Sequence, residues 1–170
     1  MGRNKALLPY RGATLAQSVA EVVRAAAGPA ALVGGPPHAL AEIGFVPDLY
    51  PGEGPLGGIL SALRSSTADW NLIVACDMPD LKADFLHQLL DTADLCSADA
   101  LVPIGPSGRL EPLCAAYHRK ALRSLETAFA RGIRKIATAL EEVRTETWTV
   151  PELSCFQNVN TPEEWAPYER

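Results

Sequence analysis

The 170-residue chain is poor in aromatic residues (6%), holds three histidines and carries no cationic excess: 15 Lys and Arg stand against 20 Asp and Glu, a net charge of −5. The missing positive charge argues against a nucleic-acid or anionic-membrane binder, whose basic footprint would show in the total. It leaves room for a small polyanion, which needs only a few local cations. No apolar run approaches the roughly 18 residues of a membrane span, and no charged-then-apolar leader opens the sequence. Met1-Gly2 begins like a myristoylation signal, but Ala6 stands where Ser or Thr is required. These absences predict a soluble, cytoplasmic protein. The four cysteines, Cys76, Cys96, Cys114 and Cys155, form no C-x-x-C and have no histidine at ligand spacing, which argues against zinc. Small apolar neighbours mark Cys76 and Cys114 as buried thiols. His38, His87 and His118 are scattered and G-x-S-x-G is absent, so covalent hydrolase chemistry has no support.

What the sequence does have is 48% hydrophobic residues, enough for one domain with a real core. Thr14 and Gln17 form a capping box, followed by Leu15, Val19, Val22, Val23 and Ala26 at helical spacing, with Gly28-Pro29 as the stop. Short strands follow at Ala30–Val33 and near Gly44–Pro47, then a glycine-rich loop and a helix from about Gly57 to Ser66. Asn71–Cys76 is a continuous apolar run, the pattern of a strand buried on both faces. Phe85, Leu86, Leu89 and Leu90 mark the next helix, and Ala100–Ile104 and Glu111–Tyr117 the next strands. Leu122, Leu125 and Phe129 line a helix ended by Gly132. Ile136, Leu140 and Val143 form a last short helix before the strand Thr147–Val150. Alternating strands and helices predict a single α/β domain, residues 1–170, built on a mainly parallel sheet. In such sheets ligands gather beyond the carboxyl ends of the strands. Gly34-Gly35, Asp48, Asp77, residues 103–108 and the loop before Asn158 fall there.

Several segments carry chemistry. Asp77, in Cys76-Asp77-Met78-Pro79, follows the buried strand, where a half-desolvated carboxylate suits a hard cation such as Mg²⁺; the alternative is a cap or turn residue before Pro79. A second ligand would come from elsewhere in the fold or from substrate phosphates. Gly52-Glu53-Gly54-Pro55-Leu56-Gly57 satisfies G-x-G-x-x-G, but Pro55 removes an amide and the strand ends four residues too early for a dinucleotide fold. Its helix N-terminus remains a place for an anion. Lys5, and the pair Arg134-Lys135, are cations able to meet phosphate or simply to face solvent. In Asn158-Val159-Asn160-Thr161-Pro162-Glu163-Glu164, Thr161 reads as an N-cap and Pro162 as the first helical residue. The two asparagines are either turn formers or amides aimed into a site.

In order, Met1-Gly2-x-x-Lys5-x-Leu7-Leu8, Asp48 ahead of Gly54-Pro55-Leu56-x-Gly58, Cys76-Asp77-Met78-Pro79, Glu111-Pro112 with Tyr117, and Asn158-Val159-Asn160-Thr161-Pro162-Glu163-Glu164 resemble the molybdenum cofactor guanylyltransferases, the MobA-type nucleotidyltransferases. The resemblance implies a three-layer α/β fold with a mainly parallel open sheet and helices on both faces, as in nucleotide-diphospho-sugar transferases. It also implies transfer of GMP from Mg-GTP to molybdopterin carrying molybdenum, with release of pyrophosphate. Lys5 would neutralise the triphosphate, Asp48 with Gly34, Gly54, Pro55 and Leu56 would bind the nucleotide, and Asp77 would hold Mg²⁺. Asn158 and Asn160 would line the catalytic or pterin side, and Arg134-Lys135 would meet the pterin phosphate. Transient contact with cofactor-biosynthesis or molybdoenzyme-maturation proteins is implied as well. The family opens with an apolar strand and a Leu-x-Gly-Gly-x-Ser-x-Arg loop, and this sequence starts where that loop ends; the expectation is a longer native chain. Gly34-Gly35 stands where the family carries an Asn, which leaves guanine to backbone groups. The alternatives are a cytidylyltransferase on the same fold, which would tend to read Asp-Gln-Pro at Asp77-Met78-Pro79, or a non-catalytic nucleotide or pterin binder.

Overall fold

The structure, a computed structural model, describes residues 5–35, 43–105, 108–150, 159 and 162–168. The expectations for Asn158, Asn160 and Thr161 lie outside them.

After a 3-10 turn at Lys5–Leu7, strands β1 (Pro9–Tyr10) and β2 (Ala13–Thr14) form a small antiparallel hairpin. Helix α1 (Leu15–Ala27) starts on the expected capping box: Thr14 Oγ1 accepts the Gln17 N–H at 3.2 Å, and Gln17 Oε1 accepts the Thr14 N–H at 2.8 Å. Strands β3 (Ala31–Val33) and β4 (Gly44–Val46) run parallel as a separate pair. Helix α2 (Pro55–Ser65), β5 (Trp70–Val74), α3 (Ala83–Leu95), β6 (Ala100–Ile104) and β7 (Cys114–His118) follow. The chain continues through α4 (Ala121–Ala130), α5 (Ile136–Leu140), β8 (Thr145–Thr149) and α6 (Pro162–Trp165), which passes into a 3-10 turn at Ala166–Tyr168.

The main sheet has the order β5-β7-β6-β8. β7 is antiparallel to both β5 and β6, while β6 and β8 are parallel. Three strands therefore share one direction and β7 alone is reversed, giving a mixed sheet. The segment expected as Glu111–Tyr117 enters the ladder only at Cys114. Before that, Glu111 N–H bonds Pro103 O and Cys114 N–H turns back to Glu111 O.

Alternation along the central strands explains the layers. Leu101, Cys114 and Ala116 pack on one side with Leu15, Leu86 and Leu89 of α1 and α3. Ala100, Val102, Ala115 and Tyr117 pack on the other with Leu56, Ile59, Leu125 and Leu140 of α2, α4 and α5. Helices on both faces leave β6 and β7 buried throughout most of their length, as their apolar sequences require.

Among the described residues, β5 is held on one edge only. Ala75 N–H bonds Leu113 O and Arg119 N–H bonds Asp69 O, each at 2.7 Å. The antiparallel alternation then turns the peptide groups of Trp70, Leu72 and Val74 away from β7. Bonds from Gly34 N–H to Val46 O and from Gly44 N–H to Ala30 O likewise turn those of Ala31 and Val33 away from β4. Among the described residues no strand lies between β3 and β5. A groove of about 740 Å³ opens there, lined by Val19 and Val23 of α1, Ala62 of α2 and the facing strands.

Gly57 allows α2 to approach the preceding loop. A Cβ at this position would sit 2.8 Å from Tyr50 Cβ and 3.2 Å from Tyr50 O. Gly57→Ala is therefore expected to destabilise the fold by about 1–3 kcal/mol, the usual range for an overpacked site. Urea denaturation checks this, and an unchanged midpoint would show that the Tyr50 contact yields freely.

Candidate functional site

The β5 ladder stops at Val74, two residues before the expected strand end at Cys76, so Asp77 stands in the turn that follows. The turn is nonetheless well fixed. Its carboxylate-bearing residue is half-buried, Met78 is buried, and the Asp77 carbonyl accepts the Val159 N–H at 3.0 Å. Val159 separates the two candidate asparagines, so this bond joins their motif to Asp77. Two further bonds hold the next residues: Tyr10 Oη–H donates to Pro79 O at 3.1 Å, and Tyr168 Oη–H donates to the Asp80 carboxylate.

Lys5 opens the first 3-10 turn. The residue after it, Ala6, packs in one small apolar cluster with Ala16, Leu32, Ile43 and Cys76, the residue before Asp77. Ala6, Cys76 and Val159, each a sequence neighbour of an expected site residue, thus lie around the Asp77 turn beyond the carboxyl end of β5.

Asp48 and Gly34 form a second group. Asp48 Oδ1 accepts the Tyr50 N–H at 2.9 Å and faces Ser61 Oγ at 3.4 Å, while Ser61 accepts the Leu49 N–H at 3.0 Å. Gly34 has φ 71°, and a Cβ there would come within 3.3 Å of Asp48 Cβ and 3.9 Å of Oδ2. A side chain here would crowd the Asp48 side chain and have to take the left-handed backbone conformation, which Asn tolerates better than most residues.

Gly54 (φ 80°) precedes Pro55, the first residue of α2. Leu56, expected at the nucleotide, is fully buried in the core, so its side chain is unavailable and only its backbone amide remains for a ligand. The basic pair divides. Lys135 is exposed, whereas the Arg134 guanidinium is already engaged: Nε contacts Glu53 Oε2 at 2.5 Å, Nη1 donates to Phe129 O at 2.7 Å, and the group lies 3.8 Å from the Phe129 ring centroid. Arg134 thereby ties the glycine-rich loop to α4 and α5. Tyr50 reinforces the tie, its ring 4.7 Å from that of Phe129.

The family model described as the MobA-like NTP transferase domain matches residues 1–144. The chain belongs to this family of nucleotidyltransferases. It is 29% identical over 180 residues to a probable molybdenum cofactor guanylyltransferase of Bacillus cytotoxicus, covering 97% of this chain and 87% of that protein. It is 34% identical over 125 residues to the molybdenum cofactor guanylyltransferase of Vibrio atlanticus, covering 70% and 61%. Among solved structures, molybdopterin-guanine dinucleotide biosynthesis protein A of Archaeoglobus fulgidus superposes with a TM-score of 0.82 at 30% identity, over 99% of this chain and 90% of that one. The 2-C-methyl-D-erythritol 4-phosphate cytidylyltransferase of Thermus thermophilus shares the fold at TM-score 0.73 and 18% identity, over 97% and 92%.

Sequence reading gave no role to three residues at this end of the sheet, although Glu111 stands in the Glu111-Pro112 motif. Asp80 lies only three positions after Asp77, but its partner Tyr168 is 88 residues away and leaves no local signal. Glu53 reads as the variable position of a glycine motif, yet it anchors Arg134. Glu111 is a buried carboxyl whose proton affinity is raised by desolvation and partly lowered by Arg109, 3.5 Å away.

Tyr168 gives a pH test. Its phenol is pushed up from the ordinary 10.0 to about 12, first by the hydrogen bond to Asp80, then by burial and by the Asp80 charge. A raised folded-state value means that its contribution to stability is complete below pH 10 and is lost as pH rises through about 12. Alkaline difference absorbance should show one late-titrating phenol fewer in Tyr168→Phe than in the parent. Identical high-pH curves would refute the hydrogen bond.

Proposed function

We propose that this protein transfers GMP from GTP to the terminal phosphate of molybdopterin carrying molybdenum, with release of pyrophosphate. The observation that carries the reading is the convergence of three motif-bearing segments beyond β5: Ala6 after Lys5, Cys76 before Asp77, and Val159 between the two asparagines. An acceptor phosphate oxygen attacks the α-phosphorus of GTP as the bond to the bridging oxygen of the β-phosphate breaks. Pyrophosphate leaves with that electron pair. No covalent enzyme intermediate is required, and the protein contributes position and charge.

The residues present fit Mg²⁺. That ion favours one or two carboxylates completed by substrate phosphates and water, and Asp77 is a half-buried carboxylate on a fixed turn. Among the described residues, no three His, Cys, Asp or Glu side chains form a closed protein cage. When bound, Mg²⁺ would neutralise phosphate charge. Lys5 serves the triphosphate. The Gly54-Pro55 start of α2 offers its N-terminal dipole to anionic oxygen. Gly34 and Asp48 form the nucleotide side, where Asp48 Oδ2 faces the space left by the glycine. Asn158, Asn160 and exposed Lys135 serve the pterin side, while Arg134 acts through the loop it holds.

Thermal shift with GTP, CTP, ATP and NAD, each with and without Mg²⁺, tests the assignment. A native-state ligand at a hundredfold excess over its Kd contributes about 2.7 kcal/mol, a shift of several degrees. GTP with Mg²⁺ should give it, and Asp77→Asn should remove it when each protein is compared with its own unliganded midpoint. Pyrophosphate release with GTP and molybdopterin is the corresponding turnover assay. Stabilisation by CTP or NAD in preference to GTP would refute the proposal.

A further inference from the structure

Three ring systems from two distant parts of the chain meet beside the Asp77 turn. Tyr10 lies on β1, while Trp165 and Tyr168 end the described chain. Ring centroids are 6.0 Å apart for Tyr10–Trp165, 6.0 Å for Tyr10–Tyr168 and 5.8 Å for Trp165–Tyr168. Tyr10 and Trp165 are buried. The two phenols are directed at the turn: Tyr10 bonds the Pro79 carbonyl and Tyr168 bonds the Asp80 carboxylate. With the bond from Val159 to the Asp77 carbonyl, residues 77, 79 and 80 are each tethered from outside β5.

We infer that Tyr10, Asp80, Trp165 and Tyr168 form a positioning clasp that registers the three segments carrying Lys5, Asp77 and the Asn158–Asn160 pair. The inference deepens the functional reading and rests on it for the roles of those residues. None of the four clasp residues needs to touch substrate. Tyr10 is five residues beyond Lys5, on the hairpin that follows the Lys5–Leu7 turn, and α6 follows Asn160 within two residues. A loosened clasp therefore displaces the site residues relative to one another rather than removing any of them. Hydrogen bonding to a carboxylate is strong and directional, and the aromatic contacts restrict the donors to one arrangement. Asp80 is thereby assigned to the clasp and not to the metal.

Hydrogen exchange and metal titration on the full chain test this with Tyr168→Phe, which keeps the ring, and Asp80→Asn, which keeps an acceptor. In Tyr168→Phe, amides of residues 78–81, of the β1 hairpin and of 162–168 should lose protection together. The Mg²⁺ concentration for half-maximal GTP stabilisation should rise roughly tenfold, the scale seen when groups supporting a metal ligand are removed. Asp80→Asn should show the same pattern more weakly. Loosening confined to 162–168, or an unmoved Mg²⁺ midpoint, would overturn the clasp. So would loss of all Mg²⁺ response in Asp80→Asn with Tyr168→Phe unchanged, because Asp80 would then be a ligand. The exchange arm is independent of function: coupled loosening in a parent that never responds to Mg-GTP would condemn the functional reading and leave the clasp standing.

Discussion

Everything at the candidate site depends on the antiparallel pairing of β5 with β7. β7 is the only partner of β5 among the described residues, and it is itself fixed by β6 on its far side and by apolar clusters on both faces. The last bond of that pairing, from Ala75 to Leu113, falls two residues before Asp77. A carboxylate at the end of a strand anchored on one edge would inherit the freedom of the other edge. The fold compensates by holding the following turn from three directions.

The same economy governs the charged groups. Arg134 and Glu53 satisfy one another and hold the glycine-rich loop against α4. Asp48 and Ser61 fix the start of that loop, and Gly57 lets α2 close on Tyr50. Exposed ion pairs of this kind contribute little to global stability. Their effect is local, because each fixes a loop whose backbone must stay in place beside an anion. Conformational entropy is then lost on folding and not again on binding.

Much of the architecture was legible because helices and buried strands announce themselves by period. The capping box at Thr14, the stop at Gly28 and the strand at Ala100–Ile104 occur as the sequence predicts. The reversed direction of β7 was not legible, since an apolar strand reads the same in either sense. Asp77, Asp48 and Gly34 were picked out by their position after strands, and the structure places each of them just beyond a strand end. A motif match does not report which way a side chain turns, and that of Leu56 turns into the core. Asp80 with Tyr168, and Glu53 with Arg134, were invisible because each pair is separated by 80 or more residues. Ordinary surface residues become a device only when tertiary structure brings them together.

The groove between β3 and β5 bears on how the molecule behaves in company. The outward peptide groups of Ala31, Val33, Trp70, Leu72 and Val74 line two facing edges above an apolar floor. Edges left open among the described residues can each take an extended segment. Neither edge has the usual defences, since the facing strand residues carry no charge and no proline interrupts them. Among the described residues the two facing edges flank a gap in which one extended segment would have its peptide groups satisfied from both sides.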